Sequence, residues 1–213
     1  MQFFNSVVAT IVVLASATSV ASTFSNMLLI ILENTDYSVA IADPNLQAFA
    51  SSGVLFSNWD AIGHPSQPNY IALTSGSTNG IRNDNSKTIN VQNIADLLEA
   101  KGLTWKSYQE NWPGNCFTGS VSPDGLYFRL VWKRFPADHL ASDLRLARRK
   151  HNPFISYTDI QKNPTRCANI VDGTQLSTDI SQNTTPTFAW YTVSNNCCNQ
   201  TNLLTWSLFY GTA

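Results

Sequence analysis

The sequence is short of charge. Of its 213 residues only 13% are Asp, Glu, Lys or Arg, the formal net charge is −1, and there are three histidines. Without a basic excess there is no electrostatic footprint for nucleic acid or for an anionic membrane surface, so no nucleic-acid partner is expected. No apolar run is long enough to span a bilayer, which argues against stable membrane insertion. No Cys-x-x-Cys spacing argues for zinc, no G-x-S-x-G elbow argues for a serine esterase, and neither an internal repeat nor a low-complexity tract is found. One deficit is concentrated at the end of the chain: after Asp179 there is no charged residue and no histidine.

What is present fits a secreted chain of one domain, long enough to bury a core. Val7 to Leu14 form a short apolar stretch, followed by small residues ending Ser19-Val20-Ala21, so residues 1–21 read as a signal peptide even though a basic leader is missing. Asn183-Thr184-Thr185 and Asn199-Gln200-Thr201 are acceptor sequons, which makes Asn183 and Asn199 candidate glycosylation sites in an extracellular protein. The four cysteines, Cys116, Cys167, Cys197 and Cys198, favour disulfides in that compartment. Cys116 with Cys167 is the expected pair, and the vicinal Cys197 and Cys198 are left unassigned.

Met27 to Leu32 is a continuous apolar run, the pattern of a strand buried on both faces of a parallel sheet. Asp43-Pro44 predicts a helix start, with Leu46, Phe49 and Ala50 on one face and Gly53 closing it. Val54 to Phe56 reads as the next strand. Asn90 is expected to cap a helix with Ile94, Leu97 and Leu98 inward and Gly102 at its end, before a strand over Leu103 to Tyr108. Strand and helix in alternation predict an α/β layered fold with a mostly parallel sheet, in which ligands gather at the carboxyl ends of strands. Glu33 and Asn34 stand at such an end. Phe128 to Arg148 breaks the texture, with five of the thirteen basic residues. It reads as a solvated basic face or a basic amphipathic helix.

The stretch Asp60 to Ser77 centres on Ser66, between two prolines and ahead of a helical segment that Gly76 ends. At or near an N-cap a hydroxyl meets unpaired N–H groups and the positive end of the helix dipole, which suits a phosphate or an activated alkoxide. A plain serine cap is the alternative. With Glu33 and Asn34 as hard oxygen ligands, a divalent cation would lower the serine's pKa and hold a phosphoryl oxygen, letting Ser66 attack phosphorus in line. The alternative for Glu33-Asn34 is a turn after a strand.

Five stretches taken in order resemble the secreted phosphoesterases that include fungal acid phosphatases and bacterial phospholipases C, relatives of alkaline phosphatase. They are Glu33-Asn34-Thr35-Asp36-Tyr37, Asp43-Pro44-Asn45-Leu46, His64 to Tyr70 (H-P-S-Q-P-N-Y), Tyr108-Gln109-Glu110-Asn111 and Lys150-His151-Asn152-Pro153-Phe154. The resemblance implies a three-layer α/β/α sandwich of the alkaline phosphatase type, present here as its N-terminal part with the C-terminal part missing. It implies hydrolysis of phosphate monoesters of small molecules through a phosphoserine on Ser66, with phospholipase C-like diester cleavage as the alternative. Glu33, Asn34 and Ser66 would hold a divalent metal ion of unknown identity, Asn69 would hold a phosphate oxygen, and His151 would approach the phosphate or leaving group. For His151 a surface or hydrogen-bonded structural histidine is the competing reading.

Two departures stand beside the matches. Relatives run from the tyrosine at Tyr127 almost directly to Arg149-Lys150-His151, so 128–148 is read as an insert, with translated intron as its source; a mature transcript lacking these codons would be the supporting observation. After Tyr191-Thr192 the family continues with an aspartate and histidine that complete the metal site, where this chain has Val193 to Gln200 with neither. A truncated or mis-spliced, inactive chain is therefore the third functional expectation.

Overall fold

A computed structural model describes residues 25–32, 36–56, 58–121 and 148–193. Among these residues four strands form one parallel sheet: β1 (Met27–Ile31), β2 (Trp105–Gln109), β3 (Ile170–Asp172) and β4 (Phe188–Thr192), in the order β1-β4-β2-β3. Met27 pairs with Phe188 and Ile31 with Thr192 on one side of β4, while Trp105 pairs with Phe188 and Gln109 with Thr192 on the other. All carboxyl ends therefore lie along one edge of the sheet.

Side chains alternate across it, as the pleat requires. Phe188 and Trp190 of β4 join Leu29, Ile31 and Trp105 in the larger core, whereas Ala189, Tyr191 and Val193 join Ile30, Leu32 and Tyr108 in a smaller one on the opposite face. Among the described residues, six helices accompany the strands up to β3: α1 (Tyr37–Ala42), α2 (Pro44–Ser51), α3 (Ser66–Ser75), α4 (Ile94–Glu99), α5 (Thr158–Gln161) and α6 (Pro164–Cys167), with α7 (Gln175–Ser181) between β3 and β4. Core residues from α3, α4 and α5 lie on the larger face, and Leu176 of α7 on the smaller. The expected α/β fold with a parallel sheet is what the chain adopts.

On the larger face, Arg166 of α6 binds Asp96 at 2.8 Å, Glu99 at 2.6 Å and also Asp159, while Trp105 Nε1 donates to Glu99 at 2.9 Å. One guanidinium thus joins α4, α5 and α6. A disulfide links Cys116 to Cys167, with Cα atoms 5.6 Å apart, the pairing expected from the sequence.

Several local expectations are corrected. Val54 to Phe56 form no strand: the three side chains are exposed and no ladder partner is found among the described residues. An apolar run of three has no alternation to tell strand from loop. Asn93, not Asn90, caps α4, accepting from the Ala95 N–H at 3.0 Å while Asp96 accepts from the Asn93 N–H at 3.0 Å. That reciprocal pair outcompetes a lone upstream Asn. With the start moved, Ala95 points inward and Leu97 outward. The start of α2 matches expectation, since Asp43 Oδ1 accepts from Asn45 and Leu46 N–H groups ahead of Pro44. The short α1 has no counterpart in the sequence reading.

Two further features matter below. Tyr37, Val39, Phe49, Val54, Phe56, Trp59 and Ile62 are all exposed. Val121 and Arg148 pair in an antiparallel bridge, and the Arg149 N–H donates to Ser120 O at 3.1 Å. The two ends flanking 122–147 are thus held side by side, while most of the 128–148 stretch lies outside the described residues.

On the smaller face the buried Asp179 accepts from Lys106 Nζ at 2.6 Å, Tyr108 OH at 2.6 Å and Gln175 Nε2 at 3.0 Å. Burial alone would raise its pKa, but these donors outweigh it and hold the carboxyl below its ordinary 3.8. Burial and the carboxylate together push the Tyr108 phenol up.

Two outcomes are expected. Because the Asp179 carboxyl is depressed in the folded state, its contribution to stability is present above 3.8 and is lost as pH falls through the folded value. Thermal melts should show Asp179→Asn less stable by about 1–3 kcal/mol at neutral pH, with the gap to wild type closing below about pH 4; a gap independent of pH contradicts this. Replacing 122–147 by a short Asn-Gly turn should leave the fold intact, with Tm within about 5 °C of wild type, and loss of the cooperative transition would show that those residues are needed.

Candidate functional site

The helix α3 is set by its own sequence. Gly76 at φ 75° takes the left-handed cap conformation, its N–H donating to Ala72 O at 2.8 Å. Gln67, Pro68, Tyr70, Ile71, Ala72 and Thr74 are buried, and Thr74 Oγ1 meets Tyr157 OH at 2.6 Å, so the helix is fixed against the core along most of its circumference. The N-cap is Pro65, joined to His64 by a cis peptide, and Ser66 is the first helical residue, one position later than a capping serine.

A helix leaves its first four N–H groups without intrahelical partners. Here two of those positions, Pro65 and Pro68, bring no N–H at all. The Gln67 N–H donates to Asp84 Oδ1 at 3.0 Å. The Ser66 N–H, beside the Ser66 hydroxyl, has no acceptor among the described residues. Among the described residues, the P-S-Q-P sequence and Asp84 therefore leave the positive end of α3 with one available donor, at the candidate nucleophile.

Ser66 is half-buried and lines a cavity of about 490 Å³. Its walls come from Ile31 and Leu32 at the carboxyl end of β1, from Trp59 to Pro65, and from Asn69, Tyr70, Ala72 and Leu73 of α3. The hydroxyl is thus placed where parallel α/β sheets bind ligands. Asp60 and His64 line the same cavity, although sequence reasoning gave neither a task. Glu33 and Asn34 lie outside the described residues, but Leu32, immediately before them, is in the cavity wall.

The other expected residues fall in distinct places. Asn69 reaches back to the loop before the helix: Oδ1 accepts from the Gly63 N–H at 3.1 Å, and Nδ2 donates to Gly63 O at 2.7 Å and Pro65 O at 3.2 Å. Both amide hydrogens are directed at backbone oxygens, so Asn69 clasps the loop that presents Ser66. His151 is buried, is not in the cavity wall, and stacks on Tyr70 with ring centroids 5.3 Å apart. Asn183 is exposed in a turn at φ 54°, and Asn199 lies outside the described residues. Among the described residues no three of His, Cys, Asp and Glu gather as a metal site.

Asp84 was missed. It lies 17 residues from Gln67, a separation with no periodic signature, yet it holds the N-terminus of α3 and accepts from Lys150 Nζ at 2.8 Å. Burial would raise its pKa, but the Gln67 N–H and the Lys150 ammonium lower it below 3.8.

Comparison with known proteins gives the family. Residues 36–201 match the model of the Phosphoesterase family. Over 184 residues the chain is 36% identical to an acid phosphatase of Aspergillus fumigatus, covering 84% of this chain and 38% of the relative. It is 34% identical over 183 residues to a phosphate-repressible acid phosphatase of Penicillium chrysogenum, covering 84% and 40%. A phosphatidylinositol-3-phosphatase of Mycobacterium tuberculosis is 28% identical over 127 residues, 56% of this chain and 42% of that one. The chain spans about two-fifths of the length of these relatives. A match over most of the chain, with a serine at the carboxyl edge of a parallel sheet, makes it a member of the Phosphoesterase family.

Proposed function

We propose that the chain hydrolyses phosphate monoesters of small molecules in the manner of an acid phosphatase, with Ser66 as nucleophile. The observation that carries this is the Ser66 hydroxyl beside its own N–H, which has no acceptor among the described residues, in the wall of a cavity at the carboxyl end of β1. Ser66 Oγ attacks phosphorus and loses its proton, the ester oxygen leaves as the alcohol, and water then cleaves the phosphoserine to inorganic phosphate. The Ser66 N–H supplies a hydrogen bond to a phosphoryl oxygen as its charge develops. Asn69 keeps the Gly63 to Pro65 loop in place, and Tyr70 with His151 behind it forms a rigid floor.

The donor set of Glu33, Asn34 and Ser66 consists of hard oxygens, which fits a divalent cation such as those bound by carboxylate and amide groups. Bound there, the ion would neutralise phosphate charge and favour the serine alkoxide. Secretion and glycosylation belong to the same reading, supported by the exposed turn at Asn183; endoglycosidase treatment of secreted material should shift its mobility, less so in Asn183→Gln.

A second reading is favoured by the placement of two expected site residues: Asn69 spends its amide on Gly63 and Pro65, and His151 stands outside the cavity wall. On that reading the chain binds phosphate without turning it over.

Hydrolysis of p-nitrophenyl phosphate from acidic to neutral pH separates them. The expected outcome is turnover that a chelator abolishes and that Ser66→Ala lowers at least about a thousandfold. Turnover in wild type no greater than in Ser66→Ala would remove the enzyme reading, and phosphate binding measured by calorimetry would then support the second.

A further inference from the structure

The ion pair of Asp84 and Lys150 joins two parts of the molecule that meet at the candidate nucleophile. Asp84 Oδ1 accepts from the Gln67 N–H at 3.0 Å, one residue beyond Ser66, and Oδ2 accepts from Lys150 Nζ at 2.8 Å. Lys150 is the middle residue of a 3-10 turn, Arg149–His151. That turn is anchored independently, because the buried Arg149 donates to Thr118 O at 2.8 Å, Lys87 O at 2.7 Å and Thr88 Oγ1 at 3.1 Å. His151 of the same turn stacks on Tyr70 of α3. The start of α3 is therefore held from one rigid turn at two points, an ion pair at its first turn and a ring stack one turn later.

The charges have a second consequence. A carboxylate at a helix N-terminus is favourable for the helix but opposes the binding of another anion there. The Lys150 ammonium at 2.8 Å cancels that charge, so the helix end stays receptive to phosphate while Asp84 still occupies the Gln67 N–H.

We infer that Asp84 and Lys150 are positioning residues for Ser66: Asp84 orients the first turn of α3 so that the Ser66 N–H and hydroxyl act together, and Lys150 keeps the phosphate subsite from being opposed by Asp84. The inference rests on the phosphoesterase reading of Ser66, and it assigns the two residues separable effects.

The test uses the full chain with Asp84→Ala, Asp84→Asn, Lys150→Met and the double variant Asp84→Ala/Lys150→Met. Three quantities are measured: Ser66 phosphorylation by p-nitrophenyl phosphate after acid quench, the affinity for inorganic phosphate, and hydrogen exchange at the Gln67 amide. Asp84→Ala should slow phosphorylation and speed Gln67 exchange by roughly ten- to a hundredfold each, with phosphate affinity little changed. Asp84→Asn, which keeps an acceptor for the Gln67 N–H, should recover most of both. Lys150→Met should weaken phosphate binding by roughly two- to fivefold, and the double variant should restore it because the opposing carboxylate is gone. A variant that is merely less stable would not show that restoration. Wild-type phosphate affinity in Lys150→Met together with wild-type Gln67 exchange in Asp84→Ala overturns the inference. If wild type takes no phosphoryl group at Ser66, the hydrolase reading falls by itself, and phosphate affinity with Gln67 exchange decides the role of the pair.

Discussion

The described structure depends on β4. Of the described strands it is the last in the chain and takes a central place, pairing with β1 on one side and β2 on the other. Every one of its five residues is buried, and it supplies aromatic side chains to both cores. Trp190 connects this strand to the rest of the larger core: its ring lies 5.8 Å from Phe154 edge-on and 6.1 Å from Tyr70. Pairing Met27 with Phe188 closes a loop of most of the chain, so the sheet can be completed only when distant segments have come together.

The site inherits its order from that arrangement. Tyr70 touches Trp190 on one side and His151 on the other, which ties α3 to the central strand and to the turn at Arg149–His151. Ser66 stands at the end of this chain of contacts, on a helix whose circumference is largely enclosed. Proline at positions 65 and 68 and the clasp of Asn69 on Gly63 and Pro65 add local stiffness where Ser66 is presented. Rigid support of this sort lets a single hydroxyl be held within reach of a reacting atom.

Much of this was legible in the sequence where a local rule has a local cause. The strand at β1, Asp43 and Pro44 at the start of α2, and Gly76 at the end of α3 were readable because apolar runs, capping and left-handed backbone are written in a few adjacent residues, but the expected burial of β1 on both faces is not met: Met27 and Leu28 are exposed where the strand ends the sheet order of the described residues. Asn93 took the cap expected of Asn90 because a capping box needs a partner three residues on, and Asp96 provides it for Asn93. Val54 to Phe56 failed because hydrophobicity over three residues says nothing of pairing. Of the site, Ser66 and its helix could be found from the sequence, whereas Asp84 could not, since its partners Gln67 and Lys150 are brought to it by the fold alone. His151 is buried against Tyr70, a neighbour brought to it by the fold and not named by the motif Lys150-His151-Asn152.

Tyr37, Val39, Phe49, Val54, Phe56, Trp59 and Ile62 are exposed on the segments that follow β1, and β1 itself pairs on one side only among the described residues. A broad greasy surface is a feature that natural proteins avoid by covering or charging it, and this chain has little charge to place there. The consequence is colloidal: the flank next to β1 governs how concentrated the protein can become before molecules adhere to one another, and salt or pH, which act on charges, are weak controls over it.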